Sequence, residues 1–170
     1  MVDLYPSDDE ARELFAQYGV TVYDSAGLEE AFVLLFATDV LGDTYRPGSA
    51  EMRKLMDSRR RQTLGRLLLD AKDALGLPTD VVRDLSAALE DRNWLIHTFH
   101  RETLPDIVNA ERRARLVTRL QKMQVRFAQL SDLLMDRVRS GLREKGASPE
   151  AIDRETQALL EAIHLAGEGG

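Results

Sequence analysis

Leu116, Leu120, Met123, Phe127, Leu130 and Leu134 recur at steps of 4, 3, 4, 3 and 4 residues. That spacing puts all six on one face of an α-helix, whereas a strand, whose side chains alternate with period two, would split them between its faces. The predicted helix opens at Asp106 or Asn109 and runs to about Lys145. At about 1.5 Å per residue it is over 50 Å long. The seam spans fewer than three heptads, which favours packing inside a bundle over a free coiled coil.

The rest of the chain reads as helices of the same bundle. Residues 8–18 form a short helix with acids in its first turn, closed by Gly19. Val20, Thr21, Val22 and Tyr23 are β-branched or aromatic, too short a run to found a sheet. A second helix is capped by Asp24 or Ser25 and runs to about Leu41. Its stretch 31–37 is apolar on every side, so the helix is central to a core or shared with a partner. Phe32, Val33, Leu35 and Phe36 cannot all face one core from one helix, and a homodimer is the expectation. A third helix spans 49–76, stopped by Gly76 with Pro78 beyond. A fourth starts at Thr79 or Asp80 and ends near Glu102 or Thr103, before Pro105. Ser148 and Pro149 open a last helix as cap and first position. The expected fold is all-α: five to six helices, one of them long and in the C-terminal half. The expected organisation is an acidic segment with a short helix at 1–23, a bundle at 24–166 and a flexible tail at 167–170.

Composition bounds the chemistry. The 170 residues include no cysteine, which removes disulfides, thiolate metal sites and cysteine nucleophiles. The longest apolar run, 31–37, is far short of the ~20 residues that span a bilayer, so no membrane partner is expected. Early acids without a basic region before an apolar stretch do not make a secretory signal, and a cytoplasmic protein is expected. The net charge of −6 is unevenly spread. Residues 1–52 carry 11 acids and 2 bases, 53–145 carry 13 acids and 20 bases, and 146–170 carry 5 acids and 1 base. An acidic front and tail thus flank a basic middle, and nucleic-acid binding needs only such a local positive surface.

The fourth helix concentrates the unusual residues. Projected at about 100° per residue, Leu85, Leu89, Ile96, Val81 and Phe99 all fall within about 60° of Arg92. A guanidinium in the middle of an apolar stripe must be paired or must open onto a cleft. His100, Asn93, Ser86, His97 and Glu90 form a polar strip beside it, while Trp94 points away. His97 and His100 stand at i, i+3, a spacing that can chelate. Neither follows a glutamate by three residues, as the ligands of di-metal bundles do, so no metal or other cofactor is assigned.

Arg92-Asn93-Trp94-Leu95-Ile96-His97 resembles the R-N-x-x-x-H signature of the HEPN superfamily, the higher eukaryotes and prokaryotes nucleotide-binding domains. Arg-Asn followed by His at this spacing is expected by chance about 0.004 times in a chain of this composition. The resemblance implies a helical bundle that dimerises, bringing two signatures together across a cleft. It also implies a metal-independent endoribonuclease, in many members a toxin or defence effector, or else a non-catalytic RNA-binding or protein-interaction bundle. RNA, a second copy of the chain and an antitoxin protein are the implied partners. The chemistry is coherent with the residue types. Histidine exchanges protons near neutral pH, and arginine holds phosphate oxygens bidentately. On this reading His97 is the acid/base, Arg92 clamps the phosphate and Asn93 orients them, with His100 and Glu90 as secondary candidates.

Overall fold

The computed structural model describes residues 6–41 and 76–148, with the separate positions 49–51, 54–55, 58, 65–66, 68, 150–151 and 154. Among the described residues the fold is all-α, with no strand. Helix α1 is Asp8–Leu41, helix α2 is Thr79–Asn93, helix α3 is Phe99–Ile107 and helix α4 is Ala110–Glu144. A π-helical turn, Trp94–Thr98, joins α2 to α3, so the described residues form three helical rods rather than five or six helices. The expected helix at 49–76 is represented by isolated helical positions, and most of it, including Arg59 to Arg61, lies outside the described residues. The flexible tail at 167–170 also lies outside them. Gly76 has the positive φ of 54° expected of a left-handed stop.

The seam of α4 is buried along its length, from Leu116 through Leu134 and on to Val138 and Leu142. Its main partner is α1. Glu10 meets Arg113, Gln17 meets Gln124, Thr21 meets Leu120 and Thr38 meets Lys145, so the two long helices run parallel. The α2–α3 rod runs antiparallel to both. Arg92 meets Glu29 and Tyr18 meets Leu95 on the α1 side, while Asp91 meets Arg126 and Trp94 meets Arg119 on the α4 side.

Two expected helices are one. The helix α1 passes through Gly19 and through 20–23 without a break, and the division at 23/24 falls inside it. The residues that carry its seam explain why. Leu14, Thr21, Ser25, Leu28 and Phe32 are buried at near-heptad spacing. Two of these five are polar, and their hydroxyls donate to the helix's own carbonyls, Thr21 to Gln17 at 2.7 Å and Ser25 to Val22 at 2.7 Å. Satisfied in this way, they pack as small core residues, and tertiary burial overrides a local preference for turn or strand. All of 31–37 is buried within the single chain, so a second subunit is not required to cover it.

The second difference is at the α3–α4 corner. The helix α3 continues past Pro105 to Ile107. Asn109 then caps α4, its side chain accepting from the Arg112 N–H at 3.0 Å. Arg113 closes the corner from inside. Its side chain, 8% exposed, donates to the Ile107 carbonyl at 2.7 Å and pairs with Glu10 at 2.6 Å. At the other end Gly146 (φ 81°) ends α4, with Ala147 N–H on the Leu142 carbonyl at 3.0 Å.

The helix α1 can be tested at two of its residues. A Cβ built on Gly19 meets nothing within 4 Å, and the residue is exposed in a helix interior. Gly19→Ala should therefore raise stability by about 1 kcal/mol in urea denaturation. The Ser7 backbone N–H, then Arg113, hold the Glu10 carboxyl below the usual glutamate range. The unfolded chain then binds this proton more readily. The contribution is present above the ordinary glutamate value, about 4.3, and is lost as pH falls through the lower folded value. Denaturation curves taken from pH 6 to 3 should show a shallower acid loss in Glu10→Gln than in the parent chain.

Candidate functional site

Arg92 is both paired and open. Its Nε donates to Glu29 Oε1 of α1 at 2.6 Å, and its Nη1 reaches Asn93 Oδ1 at 3.4 Å. The Arg92 and Glu29 side chains are 27% and 34% exposed, so the pair is partly open to solvent. The preceding residue makes the equivalent pair with α4. Asp91 is bound to Arg126, and burial pushes its carboxyl above the usual range despite the opposing pull of Arg126 and Arg119. A raised acid costs stability as pH rises through its window, so the pair is a positioning contact more than a stabilising one. The two pairs anchor neighbouring residues of α2 to the two long helices.

Immediately after these anchors the helix changes pitch. The Phe99 N–H reaches back to the Trp94 carbonyl, five residues away, which is π geometry. The Leu95 carbonyl, which an α turn would have offered to Phe99, accepts from the Tyr18 hydroxyl at 3.3 Å. The Tyr18 ring stacks on Phe99 at 4.3 Å, and both Leu95 and Phe99 are fully buried. Regular projection fails across this turn. Ile96, expected in the apolar stripe, is 39% exposed.

The signature residues therefore divide. Arg92 and Asn93 touch at the end of α2, while His97 lies within the π turn. Asn93, His97, His100 and Glu90 are all exposed. Among the described residues the His97 ring makes no hydrogen bond to Arg92 or Asn93. Its backbone carbonyl accepts from Arg101 at 3.4 Å. His100 packs its ring near Tyr18 and Phe99, at 5.5 and 5.4 Å, on the edge of the aromatic cluster. No three histidine or carboxylate side chains converge as a metal group among the described residues. The chain's single Glu-x-x-His, Glu161 to His164, lies outside them.

Three participants did not emerge from the wheel of the fourth helix alone: the partner Glu29, the role of Trp94 and the arginines at the start of α4. Trp94 does point away from the polar strip, but toward α4, where the Arg119 guanidinium lies 3.6 Å over its ring. Its indole N–H donates to Glu102 at 2.9 Å. Arg112, Arg115 and Arg119 line a cleft of about 350 Å³ beside it. Their i, i+3, i+7 spacing was visible in the sequence as one helical face. Trp94's partnership with it required the fold.

No family model, curated protein or solved structure matches the chain.

The Arg92–Glu29 pair gives a direct test of what the arginine does for the fold. For an interhelical pair about one third exposed, Arg92→Ala should lower stability by about 1–2 kcal/mol, well under the 3–5 of a buried pair. His97→Ala, at an exposed position, should stay within about 0.5 kcal/mol of the parent. Urea unfolding of the two variants checks both values.

Proposed function

We propose that the chain is a HEPN-like, metal-independent endoribonuclease that works inside the cell as a homodimer. The observation that carries this reading is the surface placement of the signature. Arg92 and Asn93 are in contact at the end of α2, and His97 stands free to solvent in the π turn that follows. π turns inside α-helices recur at functional sites. Arg92 has five N–H donors, and Glu29 and Asn93 take two of them, so a phosphate oxygen can be added without breaking the anchor.

In the proposed reaction His97 takes the proton of a ribose 2′-hydroxyl. The oxygen attacks phosphorus, and the bond to the 5′-oxygen breaks. The leaving oxygen takes a proton from the histidine of the second copy, and the products are a cyclic phosphate and a 5′-hydroxyl. Arg92 stabilises the charge that builds on the phosphoryl oxygens. Ile96 and Leu104 are exposed apolar residues on the same rod and supply a surface for the second copy. An antitoxin-like protein is the partner this reading adds.

One observation favours a second reading, a non-catalytic RNA-binding bundle: the charge of Arg92 is already matched by Glu29 within the chain. A cleavage assay separates the two. The parent chain should cut RNA in the presence of EDTA, leave DNA intact for want of a 2′-hydroxyl, and leave a cyclic phosphate end. His97→Ala should lose activity by about 100-fold or more while keeping its melting temperature. RNA cleavage that is unchanged in His97→Ala overturns the proposal. An intact, folded parent chain that binds RNA and never cuts it leaves the binding reading in its place.

A further inference from the structure

The cleft between α3 and the start of α4 takes no part in the chemistry above. Arg112, Arg115 and Arg119 reach it from one face of α4, and Trp94 closes it from the π turn. Each of the three arginines is exposed. Arg112 faces Asp106 at 3.6 Å and Arg115 faces Glu111 at 2.6 Å, and all four of these side chains are more than a third exposed. Pairs of that kind contribute little and exchange readily for a stronger anion. Arg119 makes no ion pair among the described residues, and its guanidinium carbon sits 3.6 Å from the centre of the Trp94 ring. Glu102, the other carboxylate at the cleft, is engaged by the Trp94 indole N–H at 2.9 Å. The cleft therefore offers three guanidinium groups, a cation–aromatic stack and a volume of about 350 Å³, at the small end of ligand sites.

We propose that this cleft binds one nucleotide of single-stranded RNA. Arg112 and Arg115 take the phosphodiester oxygens, and the base lies against the Arg119–Trp94 stack. Guanidinium forks match phosphate oxygens in pairs, and both arginine planes and aromatic rings stack unpaired bases. Trp94 opens the same π turn that carries His97, so the cleft adjoins the segment that bears the signature. The choice of RNA over another polyanion rests on the ribonucleolytic reading of that signature.

Trp94 is the chain's single tryptophan, so its emission reports the cleft directly. The full chain carrying His97→Ala is titrated with a single-stranded oligoribonucleotide of eight residues, following tryptophan emission and, separately, anisotropy of an end label. The expected result is a saturable emission change at the same midpoint as the anisotropy. Arg112→Gln/Arg115→Gln, at exposed positions where the fold tolerates change, should weaken binding about tenfold. It should also reduce the slope of log affinity against log salt by about 0.7 for each phosphate that the variant no longer neutralises. A circular dichroism melt of the double variant verifies that it is folded. RNA binding without an emission change, or with unaltered affinity in the double variant, overturns the cleft. So does the absence of binding, or polyglutamate competing as well as RNA at equal charge, which would assign the arginines to an acidic protein. An emission response in a chain that never cleaves RNA upholds the cleft and defeats the cleavage reading. Cleavage that depends on His97, with no response from Trp94, does the reverse.

Discussion

The parallel packing of α1 on α4 is the contact on which the remaining geometry depends. Two helices of 34 and 35 residues share a buried seam that runs from Leu14 and Leu116 at one end to Thr38 and Leu142 at the other. Burial of such a seam is the dominant favourable term in a bundle, at roughly 25 cal/mol per Å² of apolar surface. Parallel neighbours cannot be joined by a short turn, so the chain must travel the length of the bundle between them. The α2–α3 rod is part of that return. It lies against both long helices, and its paired charges, Asp91 and Arg92, each hold one of them.

Tyr18 shows how this arrangement shapes the local backbone. It projects from α1, stacks on Phe99 and donates its hydroxyl to the Leu95 carbonyl. A π turn costs one regular α hydrogen bond, and the Tyr18 hydroxyl offsets that loss with a tertiary one. The consequence is a one-residue shift in the surface beyond Asn93. Ile96 is turned outward, and His97 stands on an exposed turn anchored on one side by Arg92–Glu29 and on the other by Trp94–Glu102.

Charge is used for position throughout. Glu10–Arg113, Glu29–Arg92 and Asp91–Arg126 each join two rods, and each has at least one partner largely withdrawn from solvent. Ion pairs in such places return little net stability after desolvation, but they disfavour any register that leaves one charge alone. The remaining arginines at the start of α4, at 112, 115 and 119, are exposed beside the Trp94 cleft and contribute to the basic character of the chain's middle.

The all-helical class, the buried face of α4 and the stop at Gly76 were determined by the sequence itself, and the start of α4 was narrowed to Asp106 or Asn109, of which Asn109 is the cap. The reason is that they rest on local spacing, on a side-chain oxygen three residues from an N–H, and on the φ that glycine allows. The exceptional place of Arg92 was also legible, because a cation within an apolar stripe has few physical outcomes. Its partner was not, since Glu29 is 63 positions away in the chain. Tertiary structure alone decided that 8–41 is one helix through Gly19, that Pro105 does not end α3, and that a π turn replaces an α turn at 94–98. At Gly19 and at the π turn a weak local preference of about 1 kcal/mol is outweighed by packing against a helix distant in sequence. The conjunction of Trp94 with Arg119 has the same origin, because two residues 25 apart meet only when antiparallel rods are brought into register.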